Sequence, residues 1–226
     1  MTVIDGGVKS WPGSTVDHQE CQTHRLSIFG TIASDVLQED AILGQEVLTA
    51  FSVWMEHTHT YKNNSPIPFA SMDDYHIYRF KDVAIQFIIA LVKFSSNAHV
   101  PTPETYLLSN LIRLFHRHIC LINDLYSYDK EVLEAQVDGT IIVNAVDVLQ
   151  NIESCNLVHA KLSIRQKIWG LEHEMLDECR SLDTVGILSP DQLKLARGLL
   201  ECAAGNIFYC ATQKRYGGDS ALLTVD

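Results

Sequence analysis

The stretch INDLYSYDKE, residues 122–131, decides how this sequence is interpreted. Asn123, Ser127 and Glu131 recur at every fourth position, and each four-residue step advances about 400° around an α-helix, so their side chains form one stripe. An amide oxygen, a hydroxyl and a carboxylate are oxygen donors of the kind that Mg²⁺ prefers. The preceding segment LIRLFHRHICLI, residues 111–122, is apolar and favours a central, buried helix over a solvated polar face. The stretch therefore predicts a helical magnesium site.

Outward from this stretch, the sequence predicts an all-α chain with one domain. No sustained strand-like alternation is present, and helix breakers divide the chain into helical segments. We expect an irregular N-terminal segment at 1–25, a helical domain at 26–218 and a C-terminal tail at 219–226. Ser71 and Ser189 are expected to be helix N-caps. The predicted helices span about 26–59, 72–95, 104–136, 140–152, 157–182 and 190–216.

Composition excludes several classes of function. The net charge of −11 argues against a nucleic-acid surface, which requires a basic face. The longest apolar run, Val83–Phe94, is interrupted by Gln86 and Lys93 and is too short to span a bilayer. No secretory signal is visible at the N-terminus, so we expect a cytoplasmic location and reduced cysteines. The six cysteines form no C-x-x-C pair, and no zinc site is predicted from them.

The central stretch resembles a known metal-binding motif. NDLYSYDKE, residues 123–131, is similar to the second metal-binding motif of class I terpene synthases, N-D-x-x-S-x-x-K-E, with every ligand position filled. Arg79 lies 44 residues before Asn123 (123 − 79), where microbial members carry an arginine that senses the substrate diphosphate. Arg215-Tyr216 matches the family's terminal arginine–tyrosine pair. Three motifs in family order make residues 26–218 similar to a class I terpene synthase of the microbial and fungal sesquiterpene cyclase type.

The resemblance implies an all-α class I terpenoid synthase barrel with Mg²⁺ as cofactor. Its substrate would be a prenyl diphosphate, with farnesyl diphosphate expected, cyclised to a sesquiterpene with release of diphosphate; homodimer formation is left open. A leaving group of such charge requires a metal and cationic donors, and arginine can grip two oxygens where lysine acts as a point charge. The roles carried over are metal binding by Asn123, Ser127 and Glu131, diphosphate binding by Arg79, Lys130, Arg215 and Tyr216, and relay of binding to ionisation by Asp82 and Val83.

The sequence departs from the family in lacking the first metal motif, D-D-x-x-D/E. Counting back from Arg79 by the family's separation places that motif before residue 1, so the resemblance implies an N-terminally truncated, C-terminal portion of the barrel. Three stretches are candidate substitutes: Asp73-Asp74, which lie too close to Arg79 and suit a first helical turn; SDVLQED, residues 34–40, with Asp35 and Glu39 on one face; and VDHQE, residues 16–20. For each of them a solvated or capping role is the simpler interpretation.

Three functions therefore remain in competition. The first is a magnesium-dependent terpene cyclase. Its candidate aromatic walls for a carbocation are Phe51, Trp54, Phe87 and Phe208, although an ordinary core aromatic is the simpler interpretation of each one. The second is a non-catalytic remnant that binds magnesium diphosphate or partners a full-length homologue. The third, a chain-elongating prenyltransferase, would require two aspartate-rich motifs and is the least favoured.

Overall fold

The computed structural model describes residues 18–61 and 68–217, with side chains described at 28–58, 68–214 and 216. All regular structure in these ranges is helical, which confirms the predicted all-α class. None of the described helices is long and apolar enough to cross a membrane. The helices are α1 (His18–Glu39), α2 (Ala41–Tyr61), α3 (Met72–Asp82), α4 (Ile85–Ser96), α5 (Ser109–Asp138), α6 (Ala145–Glu153), α7 (Leu157–Val185), α8 (Pro190–Thr212) and α9 (Lys214–Gly217), with a 3₁₀ helix at Thr102–Leu108 before α5.

Helix α5 is the centre of the fold. It packs against α3, α6, α7, α8 and α9, while α2 packs against α1 and α4. Leu111, Leu114, Phe115, Ile119 and Leu121 on α5 are all at least 96% buried. Full burial of one such side chain contributes about 1.5–3 kcal/mol. The apolar segment that precedes the predicted metal stripe is thus buried on several sides, and the stripe itself begins where this core ends.

Polar caps fix where several helices begin. The Ser71 and Ser189 hydroxyls accept from the backbone N–H groups of Asp74 and Gln192, as the sequence predicts, and Gln192 completes a capping box. Asn144 caps α6 and Asn156 caps α7 in the same way. The predicted helix from Thr140 therefore begins five residues later, at Ala145, because Asp124 accepts from the Ala145 N–H and the Asn144 side chain accepts from the Val146 N–H.

The long helix predicted at 26–59 is two helices. Asp40 lies between α1 and α2, and its Oδ1 accepts from the N–H groups of Ile42 and Leu43 at 2.9 and 2.8 Å, so the chain stops one helix and starts another. The prediction of an irregular segment at 1–25 is wrong from His18 onward, because α1 already begins there. Residues 1–17, and the predicted tail at 219–226, lie outside the described residues.

The helix predicted at 72–95 is also interrupted. Helix α3 ends at Asp82, Ala84 adopts a left-handed conformation with φ of 59°, and α4 starts at Ile85. Left-handed backbone is uncommon for alanine, so the surrounding structure imposes it. The last helix is likewise shorter than predicted, because Gln213 separates α8 from α9. The break at Val83–Ala84 places an irregular turn directly beside the metal stripe.

Candidate metal and diphosphate site

The predicted stripe lies on the α5 face that meets α3, α6 and α9. Asn123 and Glu131 are half-buried and Ser127 is 4% exposed. The Asn123 Oδ1 lies 3.4 Å from the Arg79 Nη2, and Glu131 Oε2 accepts from Asn144 Nδ2 at 3.0 Å. Among the described residues, no hydrogen-bond partner reaches the buried Ser127 Oγ. The buried Ser127 hydroxyl is therefore available to a ligand, as far as the described residues show.

This donor set fits a magnesium ion. All three side chains supply oxygen, which suits a hard cation, and only one carboxylate is present, as expected for an ion that also binds a substrate phosphate. A buried hydroxyl without a partner costs free energy unless a ligand or water completes it. Glu131 uses one oxygen toward Asn144 and keeps the other for coordination. Asn123, Ser127 and Glu131 are therefore the residues that would hold the metal.

Arg79 joins the stripe to helix α3. Its Nη1 donates to Asp82 on α3, and its Nη2 donates to the Asp124 carboxylate on α5. Arg79 is 7% exposed and Asp124 is fully buried. Burial alone would lower the pKa of Arg79, but the neighbouring Asp124, Tyr75 and Asp82 outweigh it and raise that pKa well above its usual value. The guanidinium is therefore a permanent cation held next to Asn123.

The sequence reasoning left Asp124, Tyr75 and Asn144 without a role. The Asp124 carboxylate accepts from the Tyr75 hydroxyl and, at 3.0 Å, from the Ala145 N–H. Burial raises the pKa of Asp124, whereas Arg79, Tyr75 and the Ala145 N–H act in the opposite direction. The one signal for Asp124 was a carboxylate at the end of an apolar run. Tyr75 gave no signal, because its partner is 49 residues away.

Asn144 connects the start of α6 to the metal stripe. Its Oδ1 caps the helix by accepting from Val146 N at 2.9 Å. Its Nδ2 donates to the Asp124 backbone carbonyl at 2.9 Å and to Glu131 at 3.0 Å. Asn144 is fully buried, so these bonds hold the Glu131 carboxylate in one orientation. An asparagine before an apolar helix start could have predicted the cap, but not the contact with Glu131.

In the turn after α3, one backbone carbonyl has no hydrogen-bond donor among the described residues. Trp54 Nε1 donates to the Asp82 carbonyl at 3.1 Å. Val83 N donates to the Arg79 carbonyl at 3.0 Å, so the turn is tied to both sides. Within the described ranges no donor reaches the Val83 carbonyl oxygen. The structure thus brings Arg79, Asp82 and Val83 into one connected unit, with an unpaired carbonyl at its end.

The remaining predicted diphosphate ligands differ in placement. Asn123 Nδ2 donates to the Tyr216 hydroxyl at 3.2 Å, so Tyr216 on α9 reaches the stripe from 93 residues away. Arg215 is also on α9, but its side chain lies outside the described residues. Lys130 is half-exposed and pairs with Glu134 at 3.2 Å along α5, rather than with any residue of the Arg79 network. The structure therefore unites Arg79, Asn123 and Tyr216 and leaves Lys130 at the rim.

Two cavities flank the turn after α3. An acidic cavity of about 260 Å³ is lined by Asp82, Glu131 and Glu134, among others. A more apolar cavity of about 450 Å³ is lined by Trp54 and Phe87, among others. Those two rings stack at 6.3 Å, and Phe51 lies 5.3 Å from Phe87. Of the four predicted aromatics, Phe208 is the exception, since it is 66% exposed.

The acidic residues considered as substitutes for a first metal motif do not contact the stripe, as far as the structure describes their side chains. Asp40 caps α2 and pairs with His99 at 2.9 Å, while Asp35 and Glu39 are exposed. Asp73 pairs with Arg117 at 2.7 Å, and Asp74 accepts from Ser71. In VDHQE, the side chains lie outside the described residues. The described part of the chain therefore brings none of these acids into hydrogen-bond contact with Asn123, Ser127 or Glu131.

The described residues form an all-α domain with a stripe of oxygen donors on its central helix. A family model described as terpene synthase family 2, C-terminal metal binding, matches residues 18–174, and the chain belongs to that family. Terpene cyclase 6 of Gibberella fujikuroi is 32% identical over 183 residues, which cover 81% of this chain and 49% of that protein. Terpene cyclase aneC of Aspergillus aculeatus is 27% identical over 210 residues, or 92% of this chain and 48% of the relative.

A solved structure supports the fold. Aristolochene synthase from Penicillium roqueforti superposes with a TM-score of 0.69 at 22% identity, over 81% of this chain and 60% of that one. The helical class I terpenoid synthase fold expected from the sequence is thereby confirmed. The chain spans about half the length of the curated relatives named above.

Proposed function

We propose that the chain supplies the second metal site and the diphosphate clamp of a magnesium-dependent terpene cyclase. Its substrate is a prenyl diphosphate, with farnesyl diphosphate the expected one, and its product a sesquiterpene. The observation that carries the proposal is the Asn123–Ser127–Glu131 stripe next to the buried Arg79 cation, with a buried Ser127 hydroxyl that has no partner among the described residues. The relatives named terpene cyclases support the reaction class. An aristolochene synthase from Penicillium expansum, 28% identical, supports the sesquiterpene assignment.

The first chemical step is departure of diphosphate. The bond between the allylic carbon and the diphosphate oxygen breaks, and both bonding electrons leave with the oxygen. Magnesium, when bound, supplies positive charge that stabilises this leaving group. Tyr216 donates a hydrogen bond to the diphosphate, Lys130 contributes positive charge from the rim of the site, and Arg215 contributes a further cation. Arg79 adds a fixed cation beside Asn123. Because Arg79 contacts both Asp82 and Asp124, diphosphate binding beside it changes the electrostatic environment of both carboxylates.

The allylic cation formed in this step needs partial negative charge nearby. The unpaired Val83 carbonyl provides it, because a carbonyl dipole that no donor satisfies is available to a cation. Asp82 links that turn to Arg79, which gives diphosphate binding a physical route to the turn. Trp54 and Phe87 offer ring faces in the neighbouring, more apolar cavity.

The second candidate function is a non-catalytic one, in which the domain binds magnesium diphosphate or a full-length homologue. It stands beside the cyclase because the chain spans about half the length of the relatives named terpene cyclases. Both functions predict binding of inorganic diphosphate that depends on magnesium, but only a cyclase predicts turnover. Chain length also remains to be tested, because another relative, 25% identical, is named a cyclopiane-type diterpene synthase.

The test combines turnover with binding. The 226-residue chain is incubated with magnesium and geranyl, farnesyl or geranylgeranyl diphosphate, and volatile products are identified by gas chromatography–mass spectrometry. Magnesium-dependent binding of inorganic diphosphate is measured by calorimetry. Glu131→Gln, which keeps the shape and removes the charge, is the matched variant. A cyclic hydrocarbon from farnesyl diphosphate that Glu131→Gln does not form supports the cyclase. Binding without any product supports the non-catalytic alternative, and absence of both refutes the site.

A further inference from the structure

The corner between α6 and α7 brings together three side chains that ligate metals. Glu153 is the last residue of α6, Cys155 lies in the connecting turn, and His159 is in the first turn of α7. A carboxylate oxygen, the thiol sulfur and an imidazole nitrogen all lie within 4.8 Å of one another. In the part of the chain that the structure describes, this is the sole such group of three. We propose that Glu153, Cys155 and His159 bind a zinc ion.

The ligand set selects the metal. Thiolate, imidazole and carboxylate together are zinc ligands, whereas magnesium takes oxygen ligands and disfavours a thiolate. Ligand atoms around a tetrahedral zinc ion lie roughly 3.4–3.6 Å apart, given bond lengths of about 2.0–2.3 Å. The His159 Nε2 and Glu153 Oε2 atoms are already 3.9 Å apart. Small side-chain rotations close the remaining gap, and water supplies a fourth ligand.

The backbone at this corner is already fixed. Ser154 ends α6 in a left-handed conformation with φ of 49°, and Cys155 N donates to the Gln150 carbonyl at 3.2 Å. The Asn156 side chain accepts from His159 N at 2.9 Å and so holds the first turn of α7. Metal binding therefore has to order three side chains but no backbone, which reduces its entropic cost. The Cys155 thiol packs beside the core and donates to the Leu149 carbonyl at 4.0 Å, a long contact that zinc binding would replace.

This site is separate from the candidate magnesium site. Helix α6 has nine residues, so its two ends lie roughly 13 Å apart at about 1.5 Å per residue. Asn144, which orients Glu131, caps one end, and Glu153 lies at the other. No ligand is shared. Cysteine spacing did not predict the site, because the usual signal is a pair of cysteines, while here one cysteine is followed by histidine at the fourth position.

Cobalt provides the test, because a cysteine thiolate bound to Co²⁺ gives a charge-transfer absorption in the ultraviolet. The 226-residue chain is titrated with Co²⁺ under reducing conditions in excess Mg²⁺, and Zn²⁺ is then added. We expect a saturable absorption that one equivalent of Zn²⁺ abolishes. Cys155→Ser removes it, whereas Cys179→Ser, which alters a partly buried cysteine outside the corner, retains it. His159→Ala should weaken cobalt binding by at least about tenfold. Losing a residue that only contacts a metal ligand already costs about tenfold, and losing a ligand should cost no less.

A second measurement needs no variant. Zinc should slow alkylation of Cys155 by iodoacetamide, read by peptide mass spectrometry, and leave the alkylation rate of Cys202 on α8 unchanged. The proposal is overturned if the wild-type chain shows no thiolate–cobalt absorption, if that absorption persists in Cys155→Ser, or if zinc leaves Cys155 alkylation unaffected. Far-ultraviolet circular dichroism verifies that each variant is as helical as the wild type. None of these readouts depends on turnover of a prenyl diphosphate.

Discussion

Replacing Asp124 by asparagine tests whether the buried ion pair with Arg79 holds the site together. The substitution keeps the side-chain shape and one acceptor oxygen, but leaves the Arg79 guanidinium buried without its Asp124 charge partner. Breaking one side of a buried pair costs about 3–5 kcal/mol. Asp82 still contacts Arg79, and the introduced amide oxygen can still accept from Tyr75 or Ala145, so we expect the lower end, about 3 kcal/mol. That loss lowers the melting temperature by roughly 6–12 °C in a domain of this size.

The matched control is Asp129→Asn, the same substitution on the same helix. Asp129 pairs with Lys161 at 2.7 Å, but its side chain is 74% exposed, so its pair contributes about 0–1 kcal/mol. Urea unfolding followed by circular dichroism gives both free energies. The double variant Asp124→Asn with Arg79→Met should recover part of the loss, because the unpaired charge is gone. Equal costs for Asp124→Asn and Asp129→Asn, or additive costs in the double variant, would refute the argument.

Three further predictions follow from single positions. Ser127→Ala should change the free energy of unfolding by less than about 1 kcal/mol, since its hydroxyl has no partner among the described residues, yet calorimetry should show magnesium-dependent diphosphate binding lost. Burial lowers the pKa of His116 to about 3, so below about pH 6.5 the unfolded chain binds a proton that the folded chain does not. Stability should fall as the pH falls from about 6.5 to 4. Because burial also lowers the pKa of His76 and of His118, His116→Gln should remove only part of that fall in urea titrations. Gly44→Ala would place a Cβ 2.6 Å from the Val36 carbonyl and should destabilise by about 1–3 kcal/mol, whereas Gly170→Ala, with nothing within 4 Å, should stabilise by about 0.5–1 kcal/mol in thermal unfolding.

Local signals predicted the stripe and the starts of α3, α7 and α8. The spacing of Asn123, Ser127 and Glu131 needs only the helical repeat, and Ser71 and Ser189 cap the helices that follow them, because both rules operate within a few residues. The helix breaks were missed for the opposite reason. No proline or glycine marks the turn at Ala84, whose left-handed conformation depends on packing against other helices.

The network around the stripe could not be predicted in the same way. Tyr75 reaches Asp124 across 49 residues and Asn144 reaches Glu131 across 13, and no local pattern encodes either contact. For Lys130, the sequence indicated the position but not the direction of the side chain. Its position next to Glu131 suggested a diphosphate ligand, but its side chain pairs with Glu134 on the exposed side of α5. Its role in binding therefore stays a prediction.

Hydrogen-bond partners within the protein distinguish the side chains that hold the fold together from the polar groups that remain available to a ligand. Both terminal nitrogens of Arg79 are engaged by carboxylates, so any substitution there disturbs folding and diphosphate binding together. The Ser127 hydroxyl and the Val83 carbonyl have no donor or acceptor within the described ranges. An unused polar group on a buried helix face or in a half-buried turn costs stability, and such costs persist where function requires them. Ser127, rather than Arg79, is therefore the position at which loss of chemistry can be measured without loss of the fold.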